Sequence, residues 1–93
     1  MANGEESVAM LKAAAHTIAE RGKVYGDPLT DMVRIAGMWS GILGVEIPPT
    51  KVPMCMIAVK LSRLTTSPDH ADSAIDIAGY AAILRECQKG EGE

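Results

Sequence analysis

Two basic and two acidic residues in the C-terminal third of the chain are spaced so that they can meet. Lys60 and Arg63 lie three apart, Asp72 and Asp76 lie four apart, and Ser67-Pro68 separates the pairs. On helices, each pair shares one face. If the two helices fold back around residues 67–68, Lys60 and Asp76 each stand about two turns from the bend, and Arg63 and Asp72 about one. Opposite charges then face each other across an otherwise apolar hairpin. Two roles are open to such a ladder. It can be a set of partly buried salt bridges that fixes the hairpin register, with little net stabilisation because desolvation offsets the attraction. Or it can be one wall of a ligand site, where Lys60 and Arg63 meet phosphate oxygens. Asp72 and Asp76 would then orient the cations, bond a ribose hydroxyl, or hold Mg²⁺ that takes its other ligands from substrate phosphates. Tyr80 continues the aspartate face one turn further on.

A second group lies in Arg21-Gly22-Lys23-Val24-Tyr25-Gly26-Asp27. It reads either as a helix–helix connection whose glycines take unusual backbone angles, or as a binding loop. In a loop, Arg21 and Lys23 reach phosphate and Tyr25 stacks on a base. The amides opening the next helix suit an anion, but Asp27 competes for them as a cap. His70 stands two before Asp72, and it reads as a hairpin-turn histidine rather than a metal ligand. Trp39 and Tyr80 are core or interface aromatics, with base stacking as the alternative. Neither cysteine has a histidine close in sequence, and no nucleophile elbow, phosphate loop or dinucleotide fingerprint is present.

These residues need helices to place them. No run alternates with period two, so the expectation is an all-α chain of four helices whose last two form a hairpin. The first spans about 5–21, with Val8, Leu11, Ala15 and Ile18 as its apolar stripe and Gly22 as its stop. Asp27-Pro28 starts the second, which stops at Gly44. Its apolar face is Met32, Ile35, Trp39 and Ile42, while Gly37 and Gly41 let another backbone come close. Thr50 caps the third, where Pro53 is tolerated in the first turn. Met54, Ile57, Ala58, Leu61 and Leu64 form one face of that helix. Cys55 and Val59 are apolar on another side, which implies two packing surfaces. The fourth covers about 69–88.

Composition sets the limits. The chain has 93 residues, 47% apolar and 23% charged, with six Met, one Trp, two Tyr and no Phe. That is enough for one small domain over 1–93, with 1–4 and 89–93 expected to fray. A core of small, flexible side chains buries little area, so packing against further copies in a homo-oligomer is expected. The net charge of −3 comes without a basic block, which argues against nonspecific nucleic-acid binding. No segment has the roughly 18 consecutive apolar residues of a membrane span, and no signal peptide is visible. Cys55 and Cys87 read as reduced residues of a cytoplasmic protein.

The motifs RGxxYG (Arg21 to Gly26), IAxxWSxxLG (Ile35 to Gly44), MIAxKxSRL (Met56 to Leu64) and SPxHxDSxxDIAGYAA (Ser67 to Ala82) carry a resemblance covering about residues 20–85. The chain resembles a family of small, functionally uncharacterised phage and prophage helical proteins. More distantly, the last two motifs look like a hairpin of phage domains linked to nucleotide modification, and like MazG-like nucleotide pyrophosphohydrolases. The latter resemblance implies Mg²⁺ held by an acidic cluster. This sequence departs from it, with Lys60 and Arg63 where acids are needed. The family context and size are similar to those of phage proteins that sequester the signalling nucleotides of bacterial defence. Three functions follow as expectations. The first is a protein that binds a nucleotide-type ligand without turnover and needs no cofactor, with Arg21, Lys23, Tyr25, Lys60, Arg63, Asp72, Asp76 and Tyr80 as its site. The second is a Mg²⁺-dependent pyrophosphohydrolase. The third is an inhibitor that docks on a host or defence protein.

Overall fold

The computed structural model describes residues 3–90, and all of its regular structure is helical. Helix α1 is Glu5–Tyr25, α2 Pro28–Leu43, α3 Lys51–Thr66 and α4 Ala71–Gly90. Lys89 and Gly90, expected to fray, remain helical. Residues 1, 2 and 91–93, also expected to fray, lie outside the described residues.

α1 corrects the reading of Gly22 as a stop. The helix continues four residues further, and the Gly22 carbonyl accepts the Gly26 amide at 3.0 Å. Gly26, at φ 83°, ends the helix in a conformation open mainly to glycine. An interior glycine costs only about 1 kcal/mol of helix propensity. An established helix with a Glu20–Lys23 pair one turn on can absorb that cost.

The second helix follows its sequence signals. The Asp27 carboxylate accepts the Thr30 amide at 3.1 Å, Pro28 occupies the first helical position, and Gly44 closes the end at φ 72°. The Ser40 hydroxyl then donates to the Ala36 carbonyl (2.7 Å) and accepts the Ile47 amide (2.9 Å), which pins the following loop back onto α2. Thr50 holds the N-cap position of α3 without a side-chain cap bond. The carbonyls of Pro48 and Pro49 receive the amides of Lys51 and Val52 instead. α4 begins at Ala71 rather than Asp69 because His70 supplies the cap. Its Nδ1 accepts the Ser73 amide at 3.2 Å and lies 2.7 Å from the buried Ser73 hydroxyl. That task is more often done by Ser, Thr, Asp or Asn.

α3 and α4 form the expected hairpin, and α4 packs against all three other helices. The core joins Met32 and Ala36 of α2, Val52 of α3 and Cys87 of α4, with Leu29, Ile35, Trp39, Ile47 and Ile83 around them. Three helices differ from expectation in the faces they bury. α3 turns Val52, Pro53, Met56, Ile57, Lys60 and Leu64 inward, leaving Met54, Ala58 and Leu61 exposed. Its apolar residues nearly encircle it, so periodicity could not select a face, and the inward side is the one that brings Lys60 to α4. On α1, Val8, Leu11 and Ala15 face solvent while Ala14 is buried. Ile42 of α2 is 80% exposed. A Cβ at Gly37 or Gly41 would meet nothing within 4 Å, so the close backbone approach expected there is not made within the chain.

The result is an under-buried molecule. Its accessible surface is 6248 Å², against about 5,200 Å² for a compact monomer of this mass. Its radius of gyration is 14.5 Å, against about 12 Å for a compact domain of this length.

Candidate functional site

The continuation of α1 through Gly22 creates the main concavity. Ile18, Arg21, Gly22 and Tyr25 recur at helical spacing and face one side. They form one wall of an open cleft of about 630 Å³. α2 supplies Asp31, Met32, Ile35 and Trp39, α3 supplies Val52 and Met56, and α4 supplies Tyr80 and Ile83. Gly22 adds no side chain to this wall, and the space where its Cβ would stand is open.

The chemistry of the cleft is apolar and aromatic, with two charges. Tyr25, Trp39 and Tyr80 present three ring systems. Arg21 is exposed and has no ion-pair partner among the described residues, so its five donors are available to an anion. Asp31 is engaged by Arg34 at 3.3 Å. The volume falls within the roughly 300–1,000 Å³ of small-molecule sites, where apolar walls carry a few placed polar groups.

The sequence-expected site residues divide into three sets. Arg21, Tyr25 and Tyr80 converge on the cleft. Asp76 joins Arg21 and Tyr80 around a small adjoining hollow of about 20 Å³. Its carboxylate is held by Lys60 at 3.0 Å, with side-chain exposures of 12% for Lys60 and 22% for Asp76. The inner rung of the ladder is therefore a partly buried clamp between α3 and α4 at the edge of the site. Lys23, Arg63 and Asp72 do not line the cleft. Lys23 pairs with Glu20 at 3.1 Å on the exposed side of α1. Arg63 and Asp72 are both exposed and are not joined by a salt bridge, so the rung nearest the bend does not form. The connection at 67–70 places these long side chains in water, where a pair gains little.

Trp39, Asp31 and Met56 belong to the cleft but were not expected as site residues. For Trp39 the signal was the α2 face Met32, Ile35, Trp39 and Ile42, which the sequence pattern assigns to packing, with base stacking as the alternative; Asp31 and Met56 carried none. Met32, Ile35 and Trp39 both pack in the core and line the opening, while Ile42 of the same face is exposed. Among the described residues, no group of three or more His, Cys, Asp or Glu is placed to hold a metal ion. None of the helices is long and apolar enough to cross a membrane.

Residues 9–88 match the family described as "Domain of unknown function (DUF6378)". The Gene 55 protein of Mycobacterium phage L5 is 39% identical over 75 residues, covering 80% of this chain and 48% of the relative. The Gene 55 protein of Mycobacterium phage D29 is 40% identical over 79 residues, covering 84% of this chain and 52% of the relative. The chain thus spans about half the length of these relatives, and no solved structure matches it. With four helices, a cleft among them and this breadth of match, the chain belongs to the DUF6378 family, whose relatives here are phage proteins.

Proposed function

We propose that this is a phage protein that binds a nucleotide-type ligand in the cleft, in the host cytoplasm, and holds it without turnover. The observation that carries the reading is the Arg21 guanidinium beside Tyr25 and Tyr80 on an apolar cleft of about 630 Å³. A flat base stacks on an aromatic ring, which contributes about 1–3 kcal/mol per base. A phosphate accepts from the planar guanidinium fork in bidentate fashion. The hollow beside Asp76 admits a hydroxyl, and the Lys60–Asp76 pair fixes the wall that offers it. In a phage, such a protein would withdraw a signalling nucleotide from a bacterial defence pathway.

A Mg²⁺-dependent pyrophosphohydrolase needs several carboxylates turned toward one ion. The two carboxylates nearest the cleft, Asp31 and Asp76, are each engaged by a cation of the same chain. Binding without turnover is therefore the better-supported reading. The third reading, docking on a host protein, draws on the exposed apolar residues of α2 and α3.

The test is a thermal-shift and calorimetry panel of mononucleotides, cyclic dinucleotides and cyclic ADP-ribose-type compounds. At a hundredfold excess over the dissociation constant, a ligand stabilises the fold by about 2.7 kcal/mol. In a domain of this size that raises the melting temperature by about 10 °C or more. Arg21→Ala removes the shift, and mass spectrometry recovers the ligand intact. No shift with any compound overturns the binding reading, and release of pyrophosphate overturns the absence of turnover.

A further inference from the structure

We infer that the outer face of α2 is the contact between two copies of this chain. From Ile35 to Val45 the sequence carries no charged residue, although charged residues make up 23% of the chain. One side of this helix serves the core and the cleft through Met32, Ile35, Ala36 and Trp39. Beside it, Val33 and Met38 flank Gly37 and Gly41, and Ile42 in the last turn and Val45 just past the helix continue the apolar surface, each of the four at least half exposed.

Three observations favour a second copy as the occupant. The chain exposes about 1,000 Å² more than a compact monomer of its mass, and a stable protein–protein contact removes about 800 Å² from each partner. The excess matches one such face. Next, the chain carries a net charge of −3, and contact between like-charged copies costs least where the surface holds no charged side chain. The span from Ile35 to Val45 provides that. Finally, the missing Cβ atoms at Gly37 and Gly41 leave a shallow notch, with nothing of the chain's own filling it. Two such notches meeting about a two-fold axis let the helices approach more closely than the usual 8–10 Å between axes.

The experiment is sedimentation velocity on the purified chain across micromolar to near-millimolar concentration, for wild type, Ile42→Glu, and the double variant Gly37→Ala/Gly41→Ala, with Leu11→Glu on α1 as a control. Wild type and Leu11→Glu sediment as dimers. Ile42→Glu sediments as a monomer with its helical circular dichroism intact. The glycine double variant favours helix in the isolated chain, so it folds even where the charged variant does not, and its association constant falls at least tenfold. A monomeric wild type, as expected if a host protein covers this face, overturns the inference. So does a glycine variant that associates as tightly as wild type.

Discussion

Removing either partner of the Lys60–Asp76 pair separates a clamp from an ornament. At 3.0 Å and an effective dielectric constant of about 20, the attraction is about 5–6 kcal/mol before desolvation. Desolvation of two mostly buried groups cancels much of it. The residual exposure of 12% and 22% lets water relieve part of the strain when one partner is lost. Lys60→Met or Asp76→Ala alone should therefore cost about 2–3 kcal/mol, below the 3–5 kcal/mol for a fully buried pair. The double variant should cost less than the sum, leaving a coupling of about 1–2 kcal/mol. Urea denaturation of the four proteins, followed by circular dichroism, measures this directly. The same cycle on Arg63 and Asp72 should return a coupling near zero. A Lys60–Asp76 coupling under about 0.5 kcal/mol, or an equal coupling at the outer pair, would refute the assignment of inner rung and open rung.

Other perturbations report on single features. Gly22→Ala should stabilise the chain by about 0.5–1 kcal/mol, because the helix runs through that position into open space, and a lower urea midpoint would mean α1 ends there after all. His70→Ala should cost about 1 kcal/mol and speed hydrogen exchange at the Ser73 amide, the donor it caps. Ser40→Ala should lower stability by about 1–2 kcal/mol, with protection lost at the Ile47 amide, since that hydroxyl serves two backbone groups. Asp27→Ala, which strips the α2 cap, should cost about 1 kcal/mol in the same denaturation assay.

What could be read from residue order was what local chemistry decides. Asp27-Pro28 and Gly44 bound α2 because a carboxylate cap, a preset ring and a left-handed glycine each have one strong use. The hairpin and its Lys60–Asp76 rung followed from counting turns outward from Ser67-Pro68. The end of α1 did not follow, because Gly22 and Gly26 are both credible stops and only the one at positive φ serves. The orientation of α3 was hidden by its nearly continuous apolar surface. The cleft was half legible. Arg21, Tyr25 and Tyr80 were marked by residue type, but their meeting depends on one more turn of α1, and Trp39 was concealed by the core pattern it shares. The His70 cap was hidden because Ser, Thr, Asp and Asn are the usual marks of a helix start, and the Ser40 bond because it reaches seven residues on to Ile47, across a loop whose path local patterns do not set.

The helix translated last of the four packs against each of the others, as α2 does, and it is the main packing partner of both α1 and α3. Up to Thr66, the emerging polypeptide can pack α2 against α1 and α3, but it lacks Cys87 of the central cluster and the helix on which α1 and α3 mainly rest. Folding must therefore wait for α4, then proceed at once, the neighbouring α3 joining first across its short connection. A ribosome-stalled chain lacking residues beyond 70 should remain protease-sensitive, and release of the complete hairpin should confer resistance in one step.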